Sequence, residues 1–159
     1  EDTTGAIDEA DETLAQDPEN VELIIAAGRV RRNFWQYREA IDLYSRAIEL
    51  APDDWRPYRF RGHRHISLRE FEQAIADLER ARGLAPLNWD VSYHLGLAYF
   101  LAGRFADTTD VAKRPWGESE EGNDQQHAYS YCFQRQVRSS FSISISILSR
   151  QALIFSSEL

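Results

Sequence analysis

The chain has 159 residues, 43% hydrophobic and 28% charged, with a formal net charge of −8 at pH 7. That is the length of one domain with apolar content ample for a buried core, which excludes a disordered tail, and no run approaches the about eighteen apolar residues of a membrane span. The single cysteine, Cys132, excludes an internal disulfide framework and any zinc site built from several cysteines, and it leaves the redox compartment undecided.

Residues 1–20 carry Ala6-Ile7-Asp8-Glu9-Ala10 and then Pro18, and read as the second helix of a partial unit whose first helix is absent. With no methionine anywhere, this start implies a processed protein or an excised fragment, and no signal peptide is legible. Residues 1 to 28 hold nine acids and no Lys or Arg.

Residues 21–54 form the first full unit. Ile24, Ala27 and Gly28, then Ala40, Ile41, Tyr44, Ala47 and Ile48, fall at helical spacing, so the unit is two amphipathic helices joined by a polar turn at Asn33 and punctuated by Pro52. Residues 55–88 repeat the pattern with Gly62, Phe71, Ala74-Ile75, Ala81, Leu84 and Pro86. Here the charge balance reverses, with Arg56, Arg59, Arg61, Arg64, Arg69, Arg80 and Arg82 against four acids. Residues 89–114 form a third unit, with Gly96, a turn at Gly103-Arg104, and Phe105. Gly28, Gly62 and Gly96, and Pro18, Pro52 and Pro86, therefore recur every 34 residues. The small residues let paired helices approach, Tyr37 and Phe71 fill the space beside them, and Asp53-Asp54 and Asn88 supply capping side chains.

Beyond Phe105 the register decays. Thr108 stands where an alanine is expected and Pro115 replaces another, so the last helix should stop by Arg114. Residues 115–126 read as a polar loop. Within 127–159, His127 to Arg138 suits a short helix, and Ser139 to Leu148 alternates serine with Phe or Ile in the manner of a strand. Two other readings compete. One is a degenerate fourth helix pair or cap, with Ser130, Ser142 and Ser149 in register; the other is a foreign or frame-shifted tail.

A 34-residue helix-turn-helix with this order of small, aromatic, small and proline positions resembles the tetratricopeptide repeat family. The likeness spans Asp17 to Phe105, and Trp89, Leu95, Gly96, Tyr99, Gly103 and Phe105 stand where the family pattern expects them. The middle unit departs from it, with Arg61 and His65 in place of Leu and Tyr; His65 is expected to substitute for a packed aromatic. The resemblance implies an all-α, right-handed helix-turn-helix solenoid of about three repeats over residues 1–114, followed by an uncertain C-terminal tail. It also implies a non-catalytic adaptor that binds a peptide or protein in a concave groove lined by the first helix of each unit.

By that resemblance the groove residues are Glu22, Ile25, Arg29, Arg32 and Asn33, then Arg56, Arg59, His63 and Ile66, then Tyr93, Leu97, Phe100 and Leu101. A basic stretch leads into an apolar and aromatic one, which suits a peptide with acidic residues at one end and a bulky apolar side chain at the other. The competing reading of these arginines is a solvated face paired with nearby acids. One subset of the family grips chaperone tails with Lys and Asn on the first groove helix. Here Ile25, Arg29, Phe60, Asp90 and His94 occupy the corresponding positions, so a chaperone-tail receptor is not expected.

His63, His65 and His94 are weak metal candidates, because residues two apart on a helix face different directions and no further ligand completes a set. Cys132 with His127 is a weak nucleophile and base pair. No phosphate loop, serine elbow or His-Glu metal helix is present, so no enzyme, cofactor or metal is expected. The acidic first helices disfavour nucleic acid, and no membrane contact is expected. A solenoid with an uncovered end is prone to self-association, so a dimer or larger assembly is expected, and the runner-up function is a self-assembly or structural module, such as a fragment supporting a missing catalytic domain. The compartment is unknown, with a soluble cytoplasmic protein favoured.

Overall fold

In the computed structural model, residues 3–113 are described, with side chains from 5 to 111. The expected loop, helix, strand or fourth pair after residue 114, with His127 and Cys132, lies outside the described residues. Among these the chain is all-α, with seven helices: α1 (Thr3–Gln16), α2 (Val21–Asn33), α3 (Tyr37–Leu50), α4 (Trp55–Ser67), α5 (Phe71–Leu84), α6 (Trp89–Leu101) and α7 (Phe105–Lys113). Each packs on its neighbours in the chain, and α4 also touches α6.

The alternation arises from end-group chemistry repeated every 34 residues. Asn20 Oδ1 accepts from the N–H groups of Glu22 and Leu23, Asp54 Oδ1 from Arg56 at 2.9 Å, and Asn88 Oδ1 from Val91 at 3.1 Å. Each such bond satisfies a donor that the first turn of a helix leaves free. The same helices end alike. Gln36 N–H donates to Arg31 C=O at 3.1 Å, Glu70 N–H to His65 C=O at 2.9 Å, and Arg104 N–H to Tyr99 C=O at 2.8 Å. These are Schellman closures, which need a left-handed residue just before the donor. That residue is Trp35 (φ 65°), Arg69 (φ 63°) and Gly103 (φ 75°) in turn. Only the third turn uses the residue that adopts this conformation without steric cost.

Glycine sets the spacing inside the units. A Cβ on Gly28 would lie 2.6 Å from Tyr44 Cε1, and one on Gly62 would lie 2.8 Å from Leu78 Cγ and 3.2 Å from the Ala74 carbonyl oxygen. Tyr44 and Leu78 are fully buried, so both helix pairs are in contact through a missing side chain. The apolar core divides in two: Leu14, Ile24, Ile25, Ala27 and Ala47 at one end, and Ile66, Ala74, Ile75, Leu78, Leu95, Ala98, Tyr99 and Val111 at the other.

Between these clusters runs a polar seam. Arg61 donates through Nε and Nη2 to Asp77 at 2.8 and 2.6 Å, and through Nη1 to Ser45 Oγ at 3.0 Å. His65 Nδ1 donates to Glu70 Oε2 at 2.7 Å, and its Nε2 lies 3.8 Å from Asp77. Glu70 also accepts from Arg38. His65 therefore does more than substitute for a packed aromatic: two carboxylates hold it. The unit's departure from the family pattern is an ion network joining α3, α4 and α5, in which Asp77 is only 7% exposed.

Candidate functional site

The residues expected to line the groove lie on α2, α4 and α6. Arg29 and Asn33 are exposed and Arg32 is half-buried on α2; Arg56, Arg59 and His63 are half-buried on α4; Tyr93, Leu97 and Phe100 are half-buried on α6. Ile25 and Ile66 depart from the expectation. Both are buried and belong to the two apolar clusters, since an isoleucine beside a second helix gains more by leaving water than by lining a wet surface.

The arginines divide into two groups. Arg56 donates to Asp54 Oδ2 at 2.7 Å and to Glu22 Oε1 at 2.5 Å, and these hydrogen bonds hold its guanidinium above the usual range. Arg59 Nη2 donates to Asp90 Oδ1 at 2.6 Å. Burial works against ionisation of Asp90, but hydrogen bonds from His94 and Arg59 outweigh it and bring the carboxyl down to about 2. Two of the expected basic residues thus already have carboxylates.

Arg29 and Arg32 do not. Arg29 makes no ion pair among the described residues, and the hydrogen bond of the Arg32 side chain is donated to Asn33 Oδ1 at 3.3 Å. Sequence reasoning missed a third member, Arg64, which is only 6% exposed and lies over the Tyr37 ring at 5.2 Å. A signal was present: the residues 34 before and after it are Val30 and Ala98, so an arginine occupies a position that its neighbours give to apolar side chains.

Rings knit α4 to α6. His63 and His94 have centroids 4.5 Å apart, Tyr93 meets His94 edge-on at 5.2 Å, and Phe100 meets Phe105 at 5.7 Å. Burial, then the adjacent His94 and three arginines, push His63 down to about 3, so it is neutral at pH 7. Asp90 joins His94 at 3.2 Å but is engaged with Arg59. Among the described residues no three His, Cys, Asp or Glu side chains are grouped to hold a metal, and no helix is long and apolar enough to cross a membrane.

A stack of capped helix pairs with charged and aromatic side chains on its first helices is a protein-interaction solenoid. Residues 61–107 match the tetratricopeptide repeat profile. The chain is 31% identical over 97 residues to the BBSome complex member BBS4 of Bos taurus, covering 59% of this chain and 18% of that protein. It is 31% identical over 78 residues to small glutamine-rich tetratricopeptide repeat-containing protein 2 of Saccharomyces cerevisiae, covering 49% of this chain and 22% of that protein. The chain thus spans about a fifth of the length of these relatives. It belongs to the tetratricopeptide repeat family. Solved structures share the fold. The TPR2B domain of yeast Sti1 in complex with an Hsp70 peptide superposes with a TM-score of 0.69 at 20% identity, covering 76% of this chain and 97% of that one. The first such domain of Spaghetti (RPAP3), bound to the HSP90 peptide SRMEEVD, gives 0.68 at 19%, covering 79% and 96%. Members of this family are typically interaction modules without catalysis, and their partners are proteins or peptides.

Proposed function

We propose that the chain is a non-catalytic adaptor that holds a peptide segment of a partner protein against α2, α4 and α6. The observation that carries this reading is the gradient along those helices, from the unpaired Arg29 and Arg32 on α2 to Tyr93, Leu97 and Phe100 on α6. A partner with acidic residues followed by a bulky apolar one matches it in charge and shape. Two domains of the same fold hold peptides, which supports a groove of this kind. Arg56 and Arg59 serve chiefly to join the units, since a ligand would have to displace Glu22, Asp54 or Asp90 to reach them.

The test is a peptide-array screen with three forms of the full chain: the natural sequence, Arg29→Glu with Phe100→Ala, and a control with exposed Asp42 and Glu49 on α3 changed to Lys. Peptides lost only in the first variant support the groove. Equal capture by the natural chain and the Arg29/Phe100 variant, with loss in the α3 control, would move the site to the second helices.

A further inference from the structure

A cluster of positive charge with no acid of its own sits where α2, α3 and α4 meet. Arg64 is 6% exposed, and no ion pair to it is present among the described residues; its guanidinium rests on the Tyr37 ring. Burial, and then repulsion from Arg32, hold it below the usual guanidinium range, so the two cations are close enough to oppose each other. A buried unpaired guanidinium is costly and a pair of them more so, unless an anion completes the arrangement.

Two neutral groups in the same place also lack partners. Tyr44 is fully buried and its hydroxyl makes no hydrogen bond, and neither does the buried Nδ1 of His63. Arg32, Arg64, Arg29 and Arg59 are the charges that act on the Tyr44 phenol, and Arg64, Arg59 and Arg32 act on His63 with His94. Tyr44 is held in place by Phe60 stacked at 5.6 Å and by Gly28 at its ring edge. Its hydroxyl is therefore a fixed donor in a positive field. Elsewhere the arginines of this chain have their own acids: Arg31 with Asp11, Arg38 with Glu70, Arg61 with Asp77, Arg104 with Asp107. The deficit is local to this corner.

We infer that Arg32, Arg64 and Tyr44 form an oxyanion-binding subsite, with His63 and Arg29 at its margin, that takes a carboxylate or phosphate group of the bound peptide. This rests on the peptide-adaptor reading and gives that partner one required group. Arginine suits either source, because its fork donates two parallel bonds to two oxygens of one group, and the phenol adds a third. Half-buried Arg32 and exposed Arg29 form the entry side.

The experiment follows the arginine Nε–Hε signals of the full chain by NMR while sodium acetate or sodium phosphate replaces sodium chloride at constant ionic strength. The Arg32 and Arg64 signals should follow a saturating curve, while those of exposed Arg46 and Arg69 should not. Tyr44→Phe and Arg32→Gln should each weaken the apparent affinity about tenfold; neither depends on folding with Arg64 changed. Saturation by acetate alone identifies a carboxylate, by phosphate alone a phosphorylated residue, and by both a subsite indifferent to the source. Linear, equal shifts at all arginines, or affinities unchanged in both variants, would overturn the subsite. Because the probes are small ions, peptide capture without anion saturation would refute the subsite and leave the adaptor standing. Saturation without peptide capture would do the reverse.

Discussion

Replacing Gly62 with alanine tests whether the glycine register is a packing requirement. Alanine favours a helix interior over glycine by about 1 kcal/mol, so propensity alone predicts stabilisation. The structure opposes this. The new methyl would lie 2.8 Å from Leu78 Cγ, a branch carbon of a fully buried side chain, and 3.2 Å from the Ala74 carbonyl oxygen. Neither can swing aside as a chain end could, so α4 and α5 must separate, and overpacking of this kind costs about 1–3 kcal/mol. Gly83 is the control: it lies on α5, an added Cβ meets nothing within 4 Å, and Gly83→Ala receives the propensity gain without the clash. The difference between the two substitutions should be about 1–3 kcal/mol in urea unfolding followed by circular dichroism. A cycle with Leu78→Ala adds a second reading. That truncation alone should cost about 2–5 kcal/mol and less beside Ala at 62, where the new methyl occupies part of the space, giving a coupling above about 0.5 kcal/mol. Equal effects at 62 and 83, or an additive cycle, would refute the packing argument.

The turns give an independent expectation: Arg69→Gly, at an exposed residue with φ 63°, should stabilise by about 0.5–1 kcal/mol and Gly103→Ala should destabilise by about 1 kcal/mol, read as opposite shifts in melting temperature. In the polar seam, Asp77→Ala leaves Arg61 without its carboxylate and should cost about 3 kcal/mol, while Arg61→Leu with Asp77→Leu should recover most of it; equal losses in the single and double variants in urea titrations would contradict the network. Acid should destabilise the fold through His63, whose folded value of about 3 lies below its ordinary one. The unfolded chain binds a proton near pH 6.5 that the folded chain refuses, so stability present above that pH falls on acidification by about 1.4 kcal/mol per unit until pH 3. Asp90, lowered to about 2, acts with the same sign below its unfolded value of about 3.9, losing its contribution as pH falls toward 2. His63→Gln should flatten the stability curve between pH 6.5 and 5, and an unchanged slope would count against the assigned cause.

The sequence displayed whatever depends on residue type recurring in register. Glycine every 34 residues marks close helix approach at Gly28 and Gly62, and Asp54 and Asn88 cap where they were expected to cap. What escaped notice recurs in geometry but not in type. Trp35, Arg69 and Gly103 share one left-handed conformation, yet only the glycine announces it. The closure of the turn over-determines the other two, because the hydrogen bond from the following N–H can form in no other way.

Charge is the harder case, because a side chain's partner is set by stacking between units rather than by its own helix. Glu22, Arg56 and Asp90 hold the same position in successive repeats. Stacking puts Arg56 against Glu22 and leaves Asp90 to Arg59, one turn along. Once aligned by repeat, their alternating signs could have signalled these pairs. Applied to Val30, Arg64 and Ala98, the same alignment finds no acid supplied by the preceding or following unit at that position. Arg64 therefore differs in kind from Arg56: the repeat neutralises one and leaves the other buried and unmatched. A solenoid can retain such a residue at a cost in stability when a ligand supplies the missing charge, and that is why the corner between α2 and α4, rather than the most exposed arginines, is where a partner's anion should be sought.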